Sequence, residues 1–132
     1  MTVTLELKLS VWKKARIEEG YNSDMFRKDA CGAWISWNQY GVSDNLYGWE
    51  IDHICPVAIL EKLGYSEEEI WHIDNLRAVQ CKNNKSKSDD YPSYMAAVTS
   101  NGRVNVEVEK NLTVNQWTRE KISKLYPKLD VK

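Results

Sequence analysis

The chain reads GWEIDHICP at residues 48–56 and NLRAVQCKNNKSKSD at residues 75–89. In the first segment an apolar, strand-like run brings an acid and an imidazole side by side, Asp52 and His53. Consecutive residues of a regular strand point to opposite faces, so these two side chains share one site only where the strand ends or bulges. Pro56 interrupts strand pairing and is consistent with an end at this point.

An acid next to a histidine offers two of the groups that phosphodiester cleavage needs. A carboxylate is a hard oxygen ligand for a divalent cation, and an imidazole that titrates near neutrality can take a proton from water. Asp52 could equally pair with a lysine, and His53 could be a hydrogen-bonded histidine at a strand end. Glu50 shares the strand face of Asp52 and is either a supporting residue or a solvated one. The other histidine, His72, is expected on a helix surface.

The second segment carries amide and ammonium groups at helical spacing. If residues 82–89 are helical, Asn84 and Lys87 lie three apart on one face, where an amide oxygen and an ammonium suit a metal-bound phosphate. Asn83 is the alternative in the neighbouring register. Asn75, at a loop-to-strand junction, has both a donor and an acceptor with which to hold a loop carbonyl. Asn75 and Asn84 could instead be ordinary turn and helix-surface residues.

Together the two segments resemble the HNH nucleases, whose ββα-metal motif holds Asp or His followed by His, then Asn, then His or Asn. The resemblance implies that Asp52 and Asn84 are metal ligands and that His53 is the general base. It also implies that Asn75 braces the loop near the base and that Lys87 contacts a phosphate.

The motif spans residues 47–89, about a third of the 132-residue chain. Residues 73–89 look especially similar to the HNH domain of the RNA-guided CRISPR nucleases, whereas the flanks resemble only small bacterial or phage HNH proteins. Two features depart from many family members. Residues 58–74 form a longer loop in place of a short Gly-Gly turn, and the CxxC pairs of zinc-stapled relatives are absent. Neither departure removes a proposed catalytic group.

The implied roles predict a metal-dependent DNA endonuclease that uses one divalent cation. Two oxygen ligands leave coordination positions for water and phosphate, which favours Mg²⁺, although Mn²⁺, Ni²⁺ or Zn²⁺ could occupy such a site. Double-stranded DNA is the expected partner. The alternative function is a non-catalytic module that binds nucleic acid with the same motif. A pure binder has no need for a base next to a ligand, which weighs against this alternative.

Bulk charge does not predict a nucleic-acid partner. Lysine and arginine number 18 against 19 acidic residues, which gives a formal net charge of −1. Any contact with DNA must therefore come from a local basic cluster, for which the candidates are Arg77, Lys82, Lys85 and Lys87. A solvated helix face is the competing interpretation of these residues.

Composition is that of an ordinary folded protein, with 42% hydrophobic and 28% charged residues. A chain of 132 residues fits a single domain, residues 1–132, with one core. No run of about 18 apolar residues exists and the N-terminus does not resemble a signal peptide, so we expect a cytoplasmic protein without membrane contact. Six tryptophans predict a Trp-rich core, and the three cysteines are expected to be reduced thiols in or near it.

Local patterns predict an α+β protein in which the ββα-metal motif is flanked by hairpins and followed by an amphipathic C-terminal helix. Residues 3–9 alternate between apolar and polar, which predicts a half-buried strand, with a helix as the alternative. A short helix is predicted over residues 25–29. Residues 33–37 and 46–51 are predicted to form a hairpin around a polar turn.

The patterns continue through the segment that joins the two halves of the motif. Two helical turns are predicted within residues 58–71, where Ser66 and Glu69 form a capping-box pattern. A short strand at residues 75–79 and a polar helix at residues 82–89 are predicted to follow.

A hairpin and a helix are predicted for the C-terminal part. Asn101-Gly102 between two β-prone runs is a hairpin signal. Thr113 and Gln116 form a second capping-box pattern in front of the final helix. The apolar face of that helix is expected to consist of Val114, Trp117, Ile122 and Leu125.

Overall fold

Helices and short antiparallel sheets alternate along the chain in the computed structural model, which describes residues 1–129. These residues form five α-helices: α1 (Leu5–Trp12), α2 (Val57–Lys62), α3 (Glu67–Ile70), α4 (Cys81–Lys87) and α5 (Gln116–Leu125). They also form six strands: β1 (Phe26–Lys28), β2 (Trp34–Ser36), β3 (Trp49–His53), β4 (Leu76–Gln80), β5 (Ser93–Asn101) and β6 (Val104–Thr113). The expected α+β class is confirmed. None of the helices within residues 1–129 has the length and apolar character needed to cross a membrane.

The N-terminal helix α1 occupies the segment for which a strand was the first prediction. Thr4 caps the helix and accepts a hydrogen bond from the N–H of Leu7 at 3.1 Å. Val11 and Trp12 are buried at the end of α1, whereas the leucines before them are exposed or half-buried. The strand prediction is wrong because burial of the tryptophan, and not the alternating leucines, determines how this segment packs.

The first sheet pairs β1 with β2, so the helix predicted over residues 25–29 is wrong. Arg27 is buried, and its guanidinium donates to three backbone carbonyls. Asp29 accepts hydrogen bonds from the N–H groups of Cys31 and Ala33, which closes the turn between the two strands. These contacts hold β1 extended, and two of the Arg27 bonds reach residues more than ten positions away, beyond any local pattern.

The hairpin predicted between residues 33–37 and 46–51 is also wrong. Each segment does contain a strand, but β2 pairs with β1 and β3 pairs with β4. A 3-10 turn at Trp37–Gln39 follows β2 directly. A local pattern identifies a β-prone segment but does not specify its partner, which for β2 is the strand just before it and for β3 is a strand more than 20 residues later.

Two strands and a helix, β3, β4 and α4, form the centre of the molecule. β3 and β4 are antiparallel, with Trp49 opposite Gln80 and His53 opposite Leu76. α4 follows β4 at once because the Gln80 side chain caps it, accepting hydrogen bonds from two N–H groups of its first turn. The strand and helix predicted here are confirmed to within about two residues at their ends.

The connection between β3 and β4 contains α2 and α3, which confirms the two predicted helical turns. The predicted capping box is present. The Ser66 hydroxyl accepts from the N–H of Glu69 at 3.2 Å, and the Glu69 carboxylate accepts from the N–H of Ser66 at 2.9 Å. The loop is therefore ordered by its own hydrogen bonds before it returns to β4.

The predicted hairpin at Asn101-Gly102 is confirmed as the turn between β5 and β6. Asn101 lies opposite Val104, and Gly102 has a φ of +64°, a backbone conformation that residues other than glycine rarely adopt. The hairpin packs against α4 through β5.

The C-terminal helix α5 begins later than its predicted cap. β6 extends to Thr113, which pairs with Ser93, so Asn115 caps the helix by accepting from the N–H of Thr118. The capping box assigned to Thr113 is therefore wrong. Ile122 is buried as expected, but Trp117 is 70% exposed because it lies on the outer face of α5.

Many of the buried apolar side chains within the described residues belong to one of two clusters. The tryptophan cluster consists of Val11, Trp12, Ile35, Trp49, Leu76 and Ala78. The C-terminal cluster consists of Ile54, Cys55, Leu60, Ile70, Tyr94, Val114, Ile122 and Tyr126. Trp71 is partly buried and packs against both. The three cysteines are free thiols, two buried and Cys31 half-buried, as expected.

Candidate active site

Asp52 and His53 end strand β3 and line the same small cavity. After His53 the chain bends away towards Pro56, which is the condition under which consecutive strand residues can serve one site. The cavity has a volume of about 140 Å³ and is lined by Ile51, Asp52, His53, Pro56, Val57, Asn84, Ser88 and Asp89. The cavity is large enough to hold water molecules.

The Asp52 carboxylate is 6% exposed and lies between two cations. Its Oδ2 accepts from Nε of Arg77, the residue opposite it on β4, at 3.2 Å. Its Oδ1 is 3.5 Å from Nζ of Lys87. Asp52 therefore pairs with a lysine, which was its alternative interpretation. It also lines the cavity. The two cations hold the carboxylate in one orientation.

Lys87 is directed into the protein and is only 1% exposed. Its ammonium donates to the backbone carbonyl of His53 at 3.1 Å in addition to its contact with Asp52. Burial lowers the pKa of this ammonium, and the Asp52 carboxylate opposes that shift. The resemblance predicts that Lys87 contacts a phosphate. In the structure its ammonium instead bonds the end of β3.

Of the two adjacent asparagines, Asn84 faces the cavity and Asn83 does not. The Asn84 amide donates to Oε1 of Glu50 at 3.3 Å, and its Oδ1 accepts no hydrogen bond from residues 1–129. Asn83 is fully buried, and its side chain bonds the backbone of β5 and Oδ2 of Asp29. The predicted register, with Asn84 towards the site, is the one observed. Glu50 orients that amide, one of the two roles left open for it.

The imidazole of His53 stands edge-on to Trp71, with ring centroids 4.4 Å apart and planes at 89°. Its Nε2 is buried and has no hydrogen-bond partner among the described residues. Burial lowers the pKa of His53 below 6.5, and this effect exceeds the opposing effect of Asp52. The ring is therefore neutral at pH 7 and able to accept a proton. His72 lies elsewhere, where its Nδ1 accepts from the N–H of Asp74.

Asn75 is fully buried and ties together the two ends of the loop between β3 and β4. Its Oδ1 accepts from the N–H of Cys55 at 2.8 Å, and its Nδ2 donates to the carbonyls of Cys55 and Ile70, each at 3.1 Å. Its own carbonyl accepts from the N–H of Ile54 at 2.7 Å. These bonds fix the chain immediately after His53, although Asn75 does not line the cavity.

The four candidate DNA-contacting residues do not form one surface. Arg77 is largely buried between Asp52 and the ring of Tyr94, and Lys87 is buried as described. Lys82 and Lys85 are exposed, and Lys82 approaches Glu107 at 3.6 Å. The common basic cluster predicted from the sequence is wrong because α4 packs between β3 and β5, which turns the Asn83 and Lys87 side inward.

Two acids that the sequence analysis left unassigned lie at structurally important places. Asp89 lines the cavity beside Asn84 and adds negative charge there. Asp29 is 2% exposed and accepts from four N–H groups, those of Cys31 and Ala33 in its own turn, the backbone of Gln80 and the amide of Asn83. No local signal marks Asp29, since half of its partners come from β4 and α4.

The cavity suits an oxygen-preferring cation better than a metal that needs nitrogen or sulfur ligands. Among residues 1–129 no group of three or more His, Cys, Asp and Glu side chains is arranged to hold a metal ion. The side-chain oxygen donors at the cavity are the Asp52 and Asp89 carboxylates, the Ser88 hydroxyl and the free Oδ1 of Asn84. One carboxylate, one amide oxygen and several waters are a ligand set that Mg²⁺ accepts. These donor types are what link the cavity to Mg²⁺ chemistry.

Comparisons of the chain with protein family models, with curated proteins and with solved structures gave no match. The resemblance to HNH nucleases therefore remains a hypothesis about this chain.

Proposed function

We propose that this protein is a metal-dependent DNA endonuclease of the HNH family. The observation that carries the proposal is that Asp52, His53 and Asn84, which come from two distant segments, line one cavity of about 140 Å³. An acid, a neutral imidazole and a free amide oxygen in one small polar cavity supply the groups that metal-assisted phosphodiester hydrolysis requires. The order strand, strand, helix around them is the order that the resemblance implies.

His53 acts as the general base in this proposal. Its pKa lies below 6.5 because the ring is buried, so the base is in its proton-accepting form at neutral pH. Nε2 is buried, which leaves Nδ1 to meet a water molecule in the cavity. Contact with Trp71 on one side and the Lys87 bond to the His53 carbonyl limit how far the imidazole can move.

Asp52 and Asn84 are the residues that would hold the cation. When bound, a divalent cation supplies positive charge that stabilises the scissile phosphate and the departing oxygen. The role of Glu50 is to hold the Asn84 amide so that its oxygen stays available. Arg77 and Lys87 hold the Asp52 carboxylate in place. Their positive charges also offset the negative charge that a bound cation would meet, so we expect weak affinity for the cation.

Plasmid nicking tests the proposal. Wild-type protein should relax supercoiled plasmid in the presence of Mg²⁺ and should stop when EDTA is added. His53→Ala should lower the rate by at least about 100-fold, since general bases contribute that much or more. The control is His72→Ala, which removes the other histidine, outside the cavity, and should leave the rate unchanged.

Two results would contradict the proposal. Cleavage by His53→Ala at the wild-type rate would remove His53 as the base. DNA binding by the wild type without nicking in Mg²⁺, Mn²⁺, Ni²⁺ or Zn²⁺ would instead favour the non-catalytic binding module. Circular dichroism of each variant shows whether a lost activity reflects a lost fold.

A further inference from the structure

A second cavity, of about 320 Å³, shares no lining residue with the Asp52 cavity. Four of its lining residues are aromatic: Tyr21, Phe26, Trp34 and Tyr47. Aromatic side chains at this density are typical of sites that bind planar ligands, and the volume lies near the lower end for small-molecule pockets. We call this cavity the aromatic pocket.

The walls of the aromatic pocket are held in place by the fold. Trp34 is 5% exposed, and its indole N–H donates to the carbonyl of Gly102 at 2.8 Å. Tyr21 packs on Trp34 with ring centroids 4.6 Å apart. Tyr21 and Phe26 are nevertheless 38% and 43% exposed, so the fold leaves part of their ring surface in contact with water. A ligand that stacks on these rings would bury apolar surface without rearranging them.

Polar groups of the aromatic pocket are free to bind a ligand. The side chains of Ser36, Gln39 and Arg103 make no hydrogen bond with residues 1–129, although all three line the pocket. The Asn45 carboxamide uses its oxygen to accept from the N–H of Tyr47, which leaves its two N–H donors available. The pocket thus combines ring faces, amide and hydroxyl groups, and one cation on the β5–β6 turn.

We propose that the aromatic pocket binds a single unstacked nucleobase of a nucleic-acid strand, with Arg103 meeting an adjacent phosphate. Ring faces stack on bases, amide groups bond base edges, and a guanidinium pairs with phosphate. A base inside a duplex has both of its faces covered, so the ligand is an unpaired or extruded nucleotide. The choice of a nucleobase over other planar ligands rests on the proposed nuclease function.

The test compares two oligonucleotides of about 12 residues, a length within the usual range of single-strand binding sites. One is oligothymidylate, and the other has the same backbone with abasic residues throughout. Fluorescence anisotropy in EDTA, where no cleavage occurs, should show tighter binding of the strand that carries bases. Phe26→Ala should reduce this preference by about fivefold or more, the loss typical of one stacking contact.

Matched variants separate stacking from other effects. Trp117→Ala removes a more exposed aromatic ring on α5, outside the aromatic pocket, and should leave the preference for bases unchanged. Arg103→Gln should weaken both strands equally and reduce the dependence of binding on salt. If thermal melting shows that Phe26→Ala is unfolded, Tyr21→Ala takes its place, since Tyr21 contributes an exposed ring to the same wall.

Three results would overturn the aromatic pocket as a base site. They are equal binding of the two strands by the wild type, failure to bind either strand, and equal loss of preference in Phe26→Ala and Trp117→Ala. The assay contains no metal, so its outcome is independent of the nicking experiment. Nicking without a preference for bases would contradict only the proposal that the aromatic pocket binds a base. A preference for bases without nicking would contradict only the proposed endonuclease activity.

Discussion

Asn83 and Asn84 are neighbours in the sequence, but their side chains face different surroundings. Asn83 makes its hydrogen bonds inside the protein, to Asp29 and the backbone of β5, whereas Asn84 contacts Glu50 and faces the Asp52 cavity. A single variant at each position therefore separates stability from activity.

We expect Asn83→Ala to lower the free energy of unfolding by roughly 1–3 kcal/mol for each buried group that it leaves unpaired. Asn84→Ala should leave the unfolding free energy within about 0.5 kcal/mol of wild type, because its one hydrogen bond is long and half-buried. It should instead raise the Mg²⁺ concentration needed for half-maximal nicking. Urea denaturation and a Mg²⁺ titration of nicking measure the two effects. A stability loss in Asn84→Ala and a raised Mg²⁺ requirement in Asn83→Ala would contradict the roles assigned to the two residues.

Lys87 should behave as a structural residue in spite of its charge. Lys87→Met keeps much of the side-chain volume but removes the ammonium that bonds the His53 carbonyl and approaches Asp52. We expect a loss of about 1–3 kcal/mol in the free energy of unfolding, the usual effect of leaving buried partners unpaired. Lys85→Met is the control, since Lys85 is exposed on the same helix. Equal stability of the two variants in urea would contradict this assignment.

At the residue scale the sequence predicts the identity of the cavity residues better than their environment. The resemblance to HNH nucleases predicts Asp52, His53 and Asn84 in one site, and these three residues do line one cavity. The burial of Lys87 and Arg77 could not be predicted in the same way, because it depends on β5 packing against α4 and on Tyr94 covering Arg77. Side-chain burial depends on tertiary neighbours, which spacing within one segment does not reveal.

Among the connections between elements, the loop from β3 to β4 depends most on one side chain. Asn75→Ala removes three side-chain hydrogen bonds that fix the loop at Cys55 and Ile70. We expect a loss of at least about 2 kcal/mol in the free energy of unfolding, since each unpaired buried group costs roughly 1–3 kcal/mol. The nicking rate should also fall by more than the loss of folded protein explains, because the bend after His53 is no longer fixed by Asn75.

The control for that variant is Asn111→Ala, on the exposed surface of β6, which should change neither quantity. Chemical denaturation together with single-turnover nicking separates the two effects. A variant Asn75→Ala with wild-type stability would show that the loop is held by other contacts.

Among the elements, those with strong local signals were predicted and those that depend on distant partners were not. The capping box at Ser66 and the turn at Asn101-Gly102 act through residues within a few positions, and both are present. α1 and β1 were predicted as the opposite element type. Trp12 is buried against distant aromatic rings, and the Arg27 guanidinium bonds carbonyls more than ten residues away, so tertiary contacts outweigh the local pattern in both.

For the whole molecule, buried thiols predict a loss of stability at high pH. Burial raises the pKa of Cys55 to about 11 and that of Cys81 to about 12, from 9.0. The folded protein therefore keeps these protons when the unfolded chain releases them. Their contribution to stability is complete below pH 9 and is lost as the pH rises towards 11 or 12.

Urea denaturation under reducing conditions at about pH 8 and about pH 10 measures this loss. A protein that carries both Cys55→Ala and Cys81→Ala should lose less stability between the two pH values than the wild type does. Buried tyrosines such as Tyr94, whose pKa is raised to about 12, act in the same direction and remain in both proteins. An identical loss in the two proteins would assign the effect to the groups that both retain, namely the Cys31 thiol, whose pKa burial raises to about 12, and the buried tyrosines.

Trp71 touches the tryptophan cluster, the C-terminal cluster and the ring of His53. Neither cluster can open without uncovering part of this one side chain, so local openings in the two halves are energetically linked. Slowly exchanging amide protons from both clusters should accordingly report a common opening free energy. Heat inactivation should follow the same opening, since the His53 imidazole loses its contact with Trp71 when either cluster opens.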